Sequence, residues 1–171
     1  TQEDIAYRVL TQGDPAPWFV QRSTSGERYH FDTAAGRWIV LCFFASAADP
    51  VSRAALGAIE SCRGMFDDDF ASFFGVSIDP GDEAGARVGQ SLPGVRVFWD
   101  FDARASAAYG VVPVGYRGGE RVEAIRKWVI LDPMLRVHLV LPMAGADGGR
   151  GALAEALTRL PPVDRFTGAE T

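Results

Sequence analysis

Cysteine is scarce in this chain, with two thiols, Cys42 and Cys62, among 171 residues. Two cannot build a disulfide framework, no Cys-x-x-Cys is present for thiol exchange, and neither thiol has the paired neighbours of a metal site. No metal or cofactor is therefore expected. A basic block is missing too. The formal net charge is -5 and the acidic residues are spread along the chain, so no row of cations could neutralise nucleic-acid phosphates. No apolar run approaches the roughly 20 residues that span a bilayer. The opening Thr1-Gln2-Glu3-Asp4 is polar and acidic where a secretory signal is basic and then apolar. These absences argue for a cytoplasmic protein with neither membrane nor nucleic acid as partner.

What is present suffices for one substantial core, since 47% of the residues are apolar and 23% charged. One domain over 1–160 is expected, followed by a linker-like tail over 161–171 that begins Pro161-Pro162. That tail and the missing initiating Met suggest a domain excised from a larger protein.

The first 36 residues are rich in turn formers and read as a leading segment. Trp38 to Phe44 is an unbroken apolar run, as expected of a central strand covered on both faces. Asp49 then fits a helix N-cap, with Pro50 at the first helical position, where its missing N–H costs nothing. Apolar residues Ala55, Ile59, Cys62 and Phe66 follow at helical spacing, which predicts one helix packed on the sheet through Cys62. A turn at Asp67-Asp68-Asp69, a strand over 73–78 ended by Asp79-Pro80-Gly81, a weak helix over 82–91, a strand over 95–99 and a helix from Asp102 toward Gly110 come next. A loop with Pro113, Gly115, Gly118 and Gly119 leads to two strands, 128–131 and 137–141, joined as a hairpin through Asp132-Pro133-Met134-Leu135. Asp147 can cap a last helix whose apolar line is Leu153, Leu157 and Leu160. The alternation predicts an α/β fold, a three-layer sandwich with helices on both faces of a mixed central sheet.

Several segments, in order, carry a family likeness: Gly13-Asp14-Pro15-Ala16-Pro17-Trp18-Phe19, Gly36 to Leu41, Gly75-Val76-Ser77-Ile78-Asp79, Tyr109-Gly110-Val111, and Arg126 six residues before Asp132. From Gly13 to about Leu160 the chain resembles the peroxiredoxins, the alkyl hydroperoxide reductase and thiol-specific antioxidant branch of the thioredoxin-like fold. The family's active-site loop reads Pro, three residues, Thr, two residues, Cys; at those positions stand Ala45, Asp49 and Ser52. The resemblance places Arg126 where the family keeps the arginine that activates its peroxidatic cysteine. It also implies an antioxidant oxidoreductase of bacterial type and a homodimer, and it extends to bacterial proteins in which such a redoxin domain precedes an iron and 2-oxoglutarate oxygenase domain.

The chemistry at Ser52 departs from that family. Splitting a peroxide O–O bond needs a thiolate that can become a sulfenic acid and be reduced again, whereas a serine hydroxyl stays protonated near neutral pH and has no such ladder. A carboxylate at 49 would raise the pKa of a nearby thiol and occupy the arginine. Ser52 is either an engineered Cys-to-Ser change in a thiol peroxidase or a native residue in a domain that has lost peroxidase chemistry and binds or regulates a fused catalytic partner. Because a single engineered change leaves Ala45 and Asp49 unexplained, the native reading is preferred.

Other constellations are weaker. Cys42 lies in the apolar strand, and Cys62 is expected about 15 Å along the helix from residue 52, at the helical rise per residue. Neither sits at an electropositive helix start. His30-Phe31-Asp32 with His138 and Arg150 imitates a two-histidine, one-carboxylate iron site, but a jelly-roll strand pattern is missing. Ser52 with His138 lacks a nucleophile elbow. Gly148-Gly149-Arg150-Gly151 lacks the lysine of a phosphate loop and reads as a capped helix start.

Overall fold

The computed structural model describes residues 6–88, 92–116 and 122–163. Seven strands form one mixed sheet: β1 (Val20–Ser23), β2 (Gly26–His30), β3 (Trp38–Ala45), β4 (Ala71–Ser77), β5 (Val95–Trp99), β6 (Lys127–Leu131) and β7 (Val137–Pro142). Their order is β2-β1-β5-β4-β3-β6-β7, with β3, β4 and β5 parallel to one another and the remaining pairings antiparallel. Among the described residues five α-helices accompany them, α1 (Pro50–Leu56), α2 (Ala58–Ser61), α3 (Pro80–Ala84), α4 (Arg104–Ala108) and α5 (Arg150–Thr158). The expected mixed α/β sandwich is the architecture found.

β3 explains the layering. Its side chains alternate between faces, so Trp38, Val40, Cys42 and Phe44 enter one core with Ala55, Cys62, Leu153 and Leu157, whereas Ile39, Leu41 and Phe43 enter the other with Phe31, Phe74, Phe98 and Tyr109. Every residue from Ile39 to Phe44 has no exposed surface, which is why the run reads as continuously apolar.

Several expectations are corrected. The leading segment contains the β1–β2 hairpin, whose polar residues, such as Gln21 and Arg22 on β1 and Glu27 and Arg28 on the edge strand β2, give no apolar alternation to read. The helix expected over 50–66 breaks at Gly57 into α1, α2 and a turn of 3-10 helix over Arg63–Met65. A Cβ at Gly57 would lie 2.2 Å from Arg150 Nη1, so the break is at a residue where a side chain would collide with that of Arg150. The straight-helix separation between residues 52 and 62 therefore lapses, although Cys62 is buried in the core as expected. The helix expected over 82–91 begins earlier, at Pro80, and ends at Ala84. α4 starts at Arg104, with Ala103 at φ 58 and the Asp100 carboxylate accepting from the N–H groups of Ala105 (3.1 Å) and Ser106 (2.7 Å).

The last helix is preceded by Gly149 at φ 81, and Asp147 reaches past it to accept from Gly149 N and Gly151 N, both at 3.0 Å. The linker-like stretch is docked where it starts: the Trp38 indole donates to the Pro161 carbonyl at 3.0 Å, and Val163 packs against the core. Gly118, Gly119 and the tail from 164 lie outside the described residues.

Candidate functional site

The carboxyl ends of β3 and β4, two parallel strands, build the site. β3 ends at Ala45, a non-glycine residue at φ 64, and its register with β4 shifts there. The chain turns tightly, with Ser46 N donating to Phe44 O at 2.7 Å, before α1 begins. Proline is restricted to φ near −65°, so the family's loop proline cannot occupy this backbone.

Asp49 is the N-cap of α1, extended at φ -81, and its Oδ2 accepts from Ser52 N at 3.0 Å. Arg126 reaches the same place across the sheet. The antiparallel register pairs Phe43 with Lys127, which sets Arg126 beside Phe44 at the end of β3. Its Nη1 forms an ion pair with Asp49 Oδ2 and donates to Ser52 Oγ at 3.1 Å. The Ser52 N–H chiefly, and also the Arg126 guanidinium, hold the Asp49 carboxyl below its ordinary value, although burial pushes it the other way. The Ser52 hydroxyl is fully buried and donates to the Phe44 carbonyl at 2.6 Å. The three residues singled out in the sequence, Asp49, Ser52 and Arg126, thus meet at one point, with the serine oxygen both shielded and fully engaged.

A second carboxylate group supports the loop, and the sequence reading missed it. Asp82, fully buried, accepts from Ala47 N through both oxygens at 3.0 Å, from Ser77 Oγ at 2.7 Å and from Arg87 Nη1 at 3.1 Å. Asp79 caps α3 through Gly81 N (2.9 Å), accepts from Ser46 Oγ (2.6 Å) and pairs with Arg87 (3.0 Å). These bonds, that from Ser46 first, hold Asp79 below its ordinary pKa. Asp79-Pro80 repeats the spelling of Asp49-Pro50 and could have signalled a second capped helix; nothing local marks Asp82 as buried.

The other candidates disperse. His30 lies on β2 and His138 on β7, at opposite edges of the seven-stranded sheet. Six interstrand steps of about 4.8 Å separate those edges by about 29 Å, so the two histidines cannot share an iron. His138 instead packs edge-on against Trp38, ring centroids 5.0 Å apart. Cys42 is fully buried, which pushes its thiol well above the ordinary value. Among the described residues no group of three or more His, Cys, Asp or Glu is arranged to hold a metal ion, and no helix is long and apolar enough to cross a membrane.

A parallel three-strand centre with a helix opening after its middle strands, flanked by antiparallel additions, defines a thioredoxin-like fold of the peroxiredoxin kind. Solved structures share it. A yeast mitochondrial 1-Cys peroxiredoxin superposes with a TM-score of 0.67 at 16% identity, covering 93% of this chain and 84% of the other. Peroxidoxin BcpB from Mycobacterium tuberculosis gives 0.67 at 20% identity, covering 88% and 97%. The bacterioferritin comigratory protein of Xanthomonas campestris gives 0.64 at 23% identity, covering 82% and 90%. Identities this low speak for the fold alone. No curated protein matches the sequence. The AhpC/TSA family matches residues 12–139, and the chain belongs to that family.

Proposed function

We propose that this is an AhpC/TSA domain without peroxidase chemistry, with Ser52 native at the peroxidatic position, serving as a binding or regulatory module toward a catalytic protein, fused or separate. One observation carries the reading. The Ser52 hydroxyl has no exposed surface and is held between the Phe44 carbonyl and Arg126, while Arg126 is already neutralised by Asp49. An incoming peroxide would find neither a nucleophile nor a free cation, and a hydroxyl could not be cycled through sulfenic acid in any case. Ala45 at φ 64 supports the native account, because it requires a loop backbone unlike the one a proline would dictate.

The test is hydroperoxide consumption by the protein as it stands, with a dithiol reductant in excess. No turnover above the protein-free rate is expected. Turnover abolished by alkylating the thiols would refute the proposal.

A second reading, a thiol peroxidase carrying an engineered change at Ser52, draws support from the likeness to the Xanthomonas protein, which is described as reducing alkyl peroxides. It predicts that Ser52→Cys alone restores brisk peroxide reduction. The first reading predicts that it does not, because Asp49 remains on Arg126.

A further inference from the structure

A cavity of about 680 Å³ opens beside the break between α1 and α2, on the sheet face that carries Val95 and Val97. That volume falls within the range of small-molecule sites. Leu56, Ile59, Val88 and Leu92 complete an apolar wall, and all four are only partly buried against the core beneath them. Water therefore meets apolar surface that a ligand could cover.

Three charged side chains also line the cavity, Arg53, Glu60 and Arg87. Arg87 is engaged by Asp79 and Asp82. Arg53 is exposed and makes no ion pair or side-chain hydrogen bond with any described residue, so its guanidinium fork is available. Arg87 is thus already neutralised, which leaves the unpaired Arg53 to recognise a ligand, and its planar fork matches a carboxylate in a way that a point charge does not. We propose that this cavity binds an aliphatic monocarboxylate, its chain laid along Leu56, Ile59, Val95 and Val97 and its head group on Arg53. The site is separate from Ser52 and stands whether or not the domain reduces peroxides. Ala47 both lines the cavity and gives its N–H to Asp82, so its amide is a reporter at the cavity wall.

Nitrogen-15 NMR titration with sodium decanoate tests this. Saturable shifts are expected at the amides of Ala47, Leu56, Ile59 and Val97, with none at Trp18 or Met134, two exposed apolar residues at a different surface. Arg53→Gln, at an exposed position that folding does not need, should weaken decanoate about tenfold, the loss of one charge-assisted contact. It should leave decanol binding unchanged. Leu56→Trp, checked for folding by circular dichroism, should abolish both. Shifts that fail to saturate at millimolar decanoate, decylamine binding as tightly as decanoate, or an Arg53→Gln variant that binds decanoate like the parent would each overturn the proposal. Peroxide turnover would overturn the reading of Ser52 and leave this one untouched.

Discussion

Asp49-Pro50 after β3 and Asp79-Pro80 after β4 are two spellings of one local instruction, placed at the ends of neighbouring parallel strands. In each, the carboxylate caps the first turn of a helix and proline supplies the first helical residue. Their remaining partners differ. Asp79 finds its arginine eight residues away and its serine on the adjoining loop. Asp49 finds its arginine 77 residues away, across the sheet, and the same guanidinium touches Ser52. The start at Asp79 fastens a loop; the start at Asp49 ties Arg126 to the helix that carries Ser52. A cap is therefore a local property, whereas the site it belongs to is decided by what the sheet register brings opposite.

The two starts are tied together by Asp82, so its removal should have the largest effect. Asp82→Ala leaves the Ala47 N–H and the Ser77 hydroxyl without their buried acceptor, and a loss of about 3 kcal/mol in unfolding free energy is expected from urea titration. Asp79→Ala, which removes the α3 cap and the Ser46 acceptor and leaves Arg87 to Asp82 alone, should cost about 2 kcal/mol in the same measurement. Asp49→Ala, removing a cap and a solvent-accessible pair, should cost about 1 kcal/mol. If Asp49 proved costlier than Asp79, the distinction between the two starts would fail.

Acid should erase the difference. Both carboxyls sit below their ordinary pKa in the folded chain, so each contributes stability that is complete above the unfolded-state value, about pH 4, and is lost as the pH falls through the folded value. Asp68 adds to the same slope, held low first by a bidentate pair with Arg96 and then by Ser72 and Arg37. Thermal melts below about pH 4 should fall more steeply for the parent than for Asp49→Asn/Asp79→Asn, since asparagine cannot titrate. Parallel slopes would show that neither carboxylate is linked to folding. The smallest effect is a gain: Ala45→Gly relieves a left-handed residue at the cost of extra backbone entropy and should add about 0.5 kcal/mol, whereas Ala45→Pro should not be accommodated.

The legible parts of this fold were those governed by short-range physics. The buried strand from Trp38, the Asp49 cap and the α5 apolar line at Leu153 and Leu157 could be read because burial and helical periodicity leave direct marks in the order of residues. The β1–β2 hairpin could not, since its exposed edge strand β2 needs no apolar alternation. At Gly57 a side chain would collide with Arg150 of α5, a tertiary neighbour that the local sequence does not reveal. At the site, the family resemblance led to Asp49, Ser52 and Arg126, but the complete burial of Ser52 and the carboxylate of Asp82 under Ala47 are tertiary facts. Ala45 exposed a further limit: alignment presented it as a missing proline, whereas its backbone angle excludes that residue.

The central claim is that Asp49 keeps Arg126 from activating anything at position 52. The most direct measurement is the pH dependence of iodoacetamide alkylation of the thiol introduced by Ser52→Cys, resolved by peptide mass spectrometry, with and without Asp49→Thr. The account predicts titration at or above the ordinary cysteine value of about 8.5 in the single variant and a clear downward shift in the double variant. A thiol that already titrates well below neutrality beside an unaltered Asp49 would contradict it.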